Sequence, residues 1–147
     1  MTEPDPNGAR RRWLGTLARA PLAALEEAWA ALPAPPAYEM IRPPEVGLVM
    51  VRGRAGGSGQ RFNLGEMTAT RCAVRLAGGT IGFGHVAGRD RRKAERVAAF
   101  DALFQSDPDL AEAVVAPLAA AIAAARDLAA RKAAASRVQF FTMVRGE

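Results

Sequence analysis

Cysteine, histidine and lysine are nearly missing from this chain, and each scarcity closes off a class of chemistry. A lone Cys72 excludes an internal disulfide and any metal site built from several thiolates. With His85 the sole histidine, neither a histidine-rich metal centre nor a His–His relay can be assembled. Lysine occurs only at Lys93 and Lys132, so the positive charge is almost all guanidinium, which grips phosphate in a fork that an ammonium lacks. A GC-rich codon usage favouring arginine and alanine accounts for part of that bias. No uninterrupted apolar run reaches the roughly 20 residues of a bilayer span. Residues 1–8 carry Glu3 and Asp5 without an apolar core region, so neither membrane nor secretory signal is expected, and the expected location is cytoplasmic.

What remains is ordinary in amount and uneven in placement. A chain of 147 residues is most simply one domain, able to bury about two-thirds of its unfolded surface. The net charge of +5 belongs to the middle of the chain. Residues 1–48 and 97–147 each hold five cations against six acids, whereas 49–96 hold ten against three. A concentrated field of that kind draws anions toward it.

Hydrophobic periodicity predicts helices first. Trp13, Leu14 and Leu17 mark one over Arg10–Arg19, and Leu22, Leu25, Trp29 and Leu32 a second, with Pro21 at its first position. Strands are expected at Tyr38–Arg42, closed by Pro43-Pro44, and at Val46–Arg54. Beyond a glycine-rich turn the chain extends again: Thr68, Thr70, Cys72, Val74 and Leu76 share one face, and Arg71 and Arg75 take the other. Gly78-Gly79 signals a hairpin into a strand over Thr80–Val86. Asp90 then caps a helix to about Gln105, Asp107-Pro108 starts another, and Ala116-Pro117 a third that runs to about Ala135. The expected fold is α+β: an antiparallel meander of about four strands, flanked by N- and C-terminal helices, with an extended tail. Domain limits follow as a flexible N-terminus 1–8, one α+β domain 9–135, and an apolar tail 136–147.

Two places stand out. Arg91, Arg92 and Lys93 occupy the first turn of a helix, where the macrodipole disfavours cations, and Arg89 precedes them. An external anion would relieve that arrangement, with Arg71 and Arg75 contributing from neighbouring strands; a solvated basic corner is the plainer alternative. In the tail, Val138, Phe140, Phe141 and Met143, with Arg137 and Arg145, place apolar groups on both faces and need cover, either as an edge strand or on a partner.

Other motifs fail on context. Gly56-Gly57-Ser58-Gly59 lacks the Gly-Lys-Ser/Thr of a nucleotide loop, and Gly82-Phe83-Gly84-His85-Val86-Ala87 follows a hairpin, not the strand of a βαβ unit. Those glycines read instead as a strand pressed against another backbone. Cys72 reads as a core thiol, and the spacing of Glu66 and Glu95 suggests no acid–base pair. No catalytic residue and no metal ligand is expected. A basic nucleic-acid-binding module or a purely structural scaffold remains the alternative class, although no aromatic ladder interleaves the arginines.

The segments Gly57-Ser58-Gly59-Gln60-Arg61-Phe62, Gly65 to Arg71, Gly79 to Phe83, Gly88-Arg89-Asp90, Ala94-Glu95-Arg96 and Ser136 to Gly146 resemble the PhnG family. These are the G subunits of the bacterial carbon–phosphorus lyase system for phosphonate use, and the likeness runs from Trp13 to Gly146. The resemblance implies a subunit working with the H, I and J subunits, most directly I, and with the L protein in a synthase step. That step displaces adenine from ATP by methylphosphonate. It further implies no cofactor on this chain alone, ATP as substrate of the complex, and no nucleic acid among the partners.

Overall fold

The computed structural model describes Asp5 and residues 7–138. Phe140, Phe141, Met143 and Arg145 of the tail lie outside the described residues, as do positions 1–4 and 6 of the N-terminus. Among the described residues the order is α1 (Gly8–Arg19), α2 (Leu22–Ala30), β1 (Tyr38–Arg54), a short 3-10 turn (Ala55–Gly57), β2 (Arg61–Leu76), β3 (Ile81–Ala87), α3 (Arg91–Ser106) and α4 (Pro108–Ala135). The fold is α+β, with one antiparallel sheet in the order β1-β2-β3.

Among the described residues the sheet has three strands, not about four. Pro43-Pro44 does not end a strand; β1 runs through it. β1 lies at an edge, where a missing N–H removes no ladder bond, and the register slips between Arg42 and Glu45 to absorb the pair. Arg91 Nη1 donates to the Pro44 carbonyl at 2.5 Å and pins the slip. Pro117 likewise starts no helix but sits inside α4. Its position is exposed, so water can take the carbonyl freed by the missing N–H. Pro21 stands one place earlier than its expected first-turn position, as the extended residue before α2.

One face of the sheet is clad by helices. Cys72, Val74 and Leu76 of β2 and Val86 of β3 meet Val97, Phe100 and Phe104 of α3, while α1 adds Trp13 and Leu17 and α2 adds Leu25. Phe104 packs edge-on against Trp13, and Phe100 edge-on against Trp29, with centroids 5.8 and 5.0 Å apart. α3 lies directly on β3. A Cβ at Gly82 would run into the Ala98 carbonyl and the Ala102 amide, and one at Gly84 into the Ala94 carbonyl. Glycines in the strand and alanines at four-residue steps in the helix bring the two backbones together, as the sequence pattern indicates.

The outer edge of β3 is plugged by side chains. Phe83 N–H donates to Asp101 Oδ2 at 2.9 Å, and Gln105 Nε2 donates to the Ile81 carbonyl at 2.8 Å. Asp101 is fully buried and also accepts from Arg10 and Trp13. One carboxylate thereby joins α1, α3 and β3.

Candidate functional site

The basic start of α3 keeps most of its cations occupied. Asp90 Oδ1 accepts from Lys93 N at 2.9 Å, capping the helix as its sequence indicates. Arg91 is held by Pro44. Arg92 donates to Glu26 at 2.8 Å and to Glu95 at 3.2 Å. Arg89 is exposed and Lys93 half-buried, and neither side chain makes an ion pair among the described residues. Arg71 and Arg75 do not join this group. Both lie on the unclad face of the sheet, Arg71 3.5 Å from Glu45 and Arg75 bonded to Glu39 at 2.6 Å.

Beside the helix start is a denser network that sequence spacing does not show. Arg96 is buried, stacks 4.5 Å above the Trp29 ring and donates to Glu26 Oε2 at 2.9 Å. Burial pushes against ionisation of Glu26, but the hydrogen bonds and charges of Arg96 and Arg92 outweigh it and hold the carboxyl below its usual range. Tyr38 Oη donates to Glu95 at 2.7 Å. Burial first, then that carboxylate, pushes the phenol up to about 12. Cys72 is buried, and desolvation pushes its thiol up to about 11, so it carries little thiolate at neutral pH. Glu66 stands opposite Met50 in the sheet and Glu95 on α3 serves Tyr38 and Arg92, so the two make no acid–base pair. Among the described residues no cluster of His, Cys, Asp and Glu could hold a metal ion.

Among the described residues three surfaces lack cover. The open face of the sheet carries Ile81, Phe83, His85, Met67 and Val49 beside Arg71 and Arg75. Past Ala69 the β1–β2 pair leaves the helices behind as a free arm, on which Leu48, Met50, Phe62 and Leu64 are exposed. A bare two-stranded ribbon is marginal in water, and this one shows a large apolar share. α4 is buried at Ala111 and Leu118, but past Ile122 every described position is exposed. By length and composition α4 alone among the described helices could cross a bilayer. Its uncharged stretch runs only from Ala113 to Ala125, short of the roughly 20 residues required. Arg137 and Val138 follow α4 and are exposed.

The arm ends in a feature missing from the expected anion set. Arg54 stands directly opposite Arg61, and Arg52 lies on the same face two residues along. From Val46 to Gly65 there is no acid at all, a signal readable in the sequence.

Among the described residues, a half-clad sheet, an exposed ribbon and an exposed helix end define a small α+β protein with much apolar surface left open. Over residues 8–146 the sequence matches the family described as phosphonate metabolism protein PhnG, and the chain belongs to that family. It is 49% identical over 140 residues to a protein of Rhizobium meliloti (strain 1021) named alpha-D-ribose 1-methylphosphonate 5-triphosphate synthase subunit PhnG, covering 94% of this chain and 90% of that relative.

Proposed function

We propose that this chain is an accessory subunit of an alpha-D-ribose 1-methylphosphonate 5-triphosphate synthase in phosphonate catabolism. The observation that carries this is the 49% identity, over nearly its whole length, to a protein named as such a subunit. In the reaction a phosphonate oxygen attacks C1′ of the ATP ribose. The bond from C1′ to the adenine nitrogen breaks, its electron pair leaves with the base, and the base takes up a proton. The triphosphate stays on the ribose.

The chain's own contribution is surface and charge. The apolar arm, the outer half of α4 and the tail with Arg137, Val138, Phe140, Phe141, Met143 and Arg145 are the subunit-facing parts, the I subunit being the most direct neighbour. The H and J subunits complete the assembly, and the L protein joins for the synthase step. ATP is the substrate of the complex, this chain alone binds no cofactor, and the assembly works in the cytoplasm. Around α3, the role of facing an anion falls to Arg89, Arg91 and Lys93; Arg92, Arg71 and Arg75 already serve carboxylates.

Reconstitution of the H, I, J and L proteins with and without this chain, assayed for adenine release from ATP plus methylphosphonate, tests the reading. Omission should abolish release. Deleting Arg137–Glu147 should prevent co-purification with the I subunit while the domain stays folded. Undiminished release without the chain overturns the proposal.

A further inference from the structure

The free end of the β1–β2 arm concentrates positive charge in a way the fold does not compensate. Residues opposite one another in an antiparallel pair have Cβ atoms about 4.5–5.5 Å apart, and a step of two along a strand is roughly 7 Å. Arg54, Arg61 and Arg52 therefore crowd one face of the ribbon within about a Debye length of each other at physiological salt. Like charges placed opposite each other destabilise a ribbon.

No ion pair within the arm offsets this, and the one acid near it, Glu66, sits one step beyond Arg52 on the same face. Among the described residues none of the three guanidinium groups enters an ion pair. Arg54 Nη1 reaches only the Gly59 carbonyl, at 3.3 Å. The nearest acid along β2, Glu66, stands opposite Met50. Between the strands the chain turns through Gly56 and Gly57, both with positive φ, and a Cβ at either would meet nothing within 4 Å. The tip is thus a glycine-rich turn, with small Ala55 and polar Ser58 and Gln60, flanked by three forked donors, and it stands apart from the arginines that α3 and the open sheet face occupy internally.

We propose that Arg52, Arg54 and Arg61 form a binding site for a polyphosphate chain, which the arm delivers to a site shared with other subunits. Guanidinium forks match phosphoryl oxygens, and a linear polyanion can span all three at once. That the physiological polyphosphate is the triphosphate of ATP rests on the synthase reading; the binding itself does not.

The probe is inorganic tripolyphosphate, titrated calorimetrically into the full-length chain at low salt. The wild type should bind, R52Q/R54Q/R61Q should bind at least about tenfold more weakly, and R71Q/R75Q, at guanidinium groups already paired with Glu45 and Glu39, should change affinity less than about threefold. Lysine at all three positions keeps the charge without the fork and should restore only part of the affinity. Because the tip is exposed, the triple glutamine variant should keep the wild-type fluorescence of Trp13 and Trp29. In the reconstituted complex the same variant should raise the KM for ATP while co-purification is kept. Equal affinity in the triple variant, or no binding by the wild type, overturns the proposal. Tighter binding of a single-stranded RNA through the same arginines overturns it in favour of nucleic acid. Loss of assembly in the triple variant overturns it in favour of an acidic protein surface. If no reconstituted complex releases adenine while tripolyphosphate still binds at the tip, the synthase reading falls and this site stands.

Discussion

The Arg10 guanidinium closes on the buried Asp101 carboxylate through two bonds, Nε to Oδ1 at 3.0 Å and Nη2 to Oδ2 at 2.7 Å. The hydrogen bond to Asp101 raises the Arg10 pKa above its ordinary value, against the opposing effect of burial. Trp13 Nε1 and the Phe83 amide donate to the same carboxylate at 2.9 Å each, and Gln105 Nε2 at 3.3 Å.

Replacing that carboxylate strips several buried donors at once. Asp101→Ala should destabilise the domain by about 3–5 kcal/mol, the usual cost of breaking a buried pair from one side. Arg10→Ala, at a side chain still 30% exposed, should cost less. Urea denaturation followed by tryptophan fluorescence measures both. An Asp101→Ala loss below about 1 kcal/mol would sink this account of how α1 is held.

The contact of α3 with β3 makes a sharper claim because it has an internal control. Gly84→Ala drives a methyl group into the Ala94 carbonyl and should cost at least about 3 kcal/mol or prevent folding. Gly65→Ala meets nothing within 4 Å on the same sheet and should be near neutral. Thermal melts of the two variants decide it, and similar melting temperatures would refute the packing argument.

Tyr38 is the sole tyrosine, so tyrosinate absorbance reports on it alone. Its folded pKa of about 12 lies above the ordinary 10, so the unfolded chain gives up the proton first. The stabilisation is therefore full below about pH 10 and is lost between about pH 10 and 12. Tyr38→Phe should remove that alkaline slope and cost about 1 kcal/mol at neutral pH. A native-state titration midpoint near 10 would contradict both the burial of the phenol and its Glu95 contact.

Local pattern carried much of the fold. The period of two over Thr68–Leu76 separates core from open face correctly, because side-chain alternation is a property of the backbone itself. Gly82 and Gly84 were readable as a close approach, since little else explains two glycines in a short strand. Pro43-Pro44 and Pro117 misled for one shared reason. At a sheet edge a missing N–H need remove no ladder bond, and inside α4 the lost bond frees a carbonyl that water can reach; both depend on edges and exposure that local sequence does not encode. The Asp101 hub was invisible because Arg10 and Trp13 are 91 and 88 residues away along the chain. In the same way Arg92 looked free for an anion until Glu26, from another helix, came to meet it. The Arg54–Arg61 pairing, by contrast, follows once the hairpin register is known.

Because Asp101 and Gln105 already take the Phe83 N–H and the Ile81 carbonyl on the outer rim of β3, the described sheet receives an added strand more readily beyond β1. A body with one receptive border cannot propagate as a ribbon: whatever joins there, a foreign strand or a second copy, ends the series. Closed assemblies of fixed size are thereby favoured over fibrils built through this sheet.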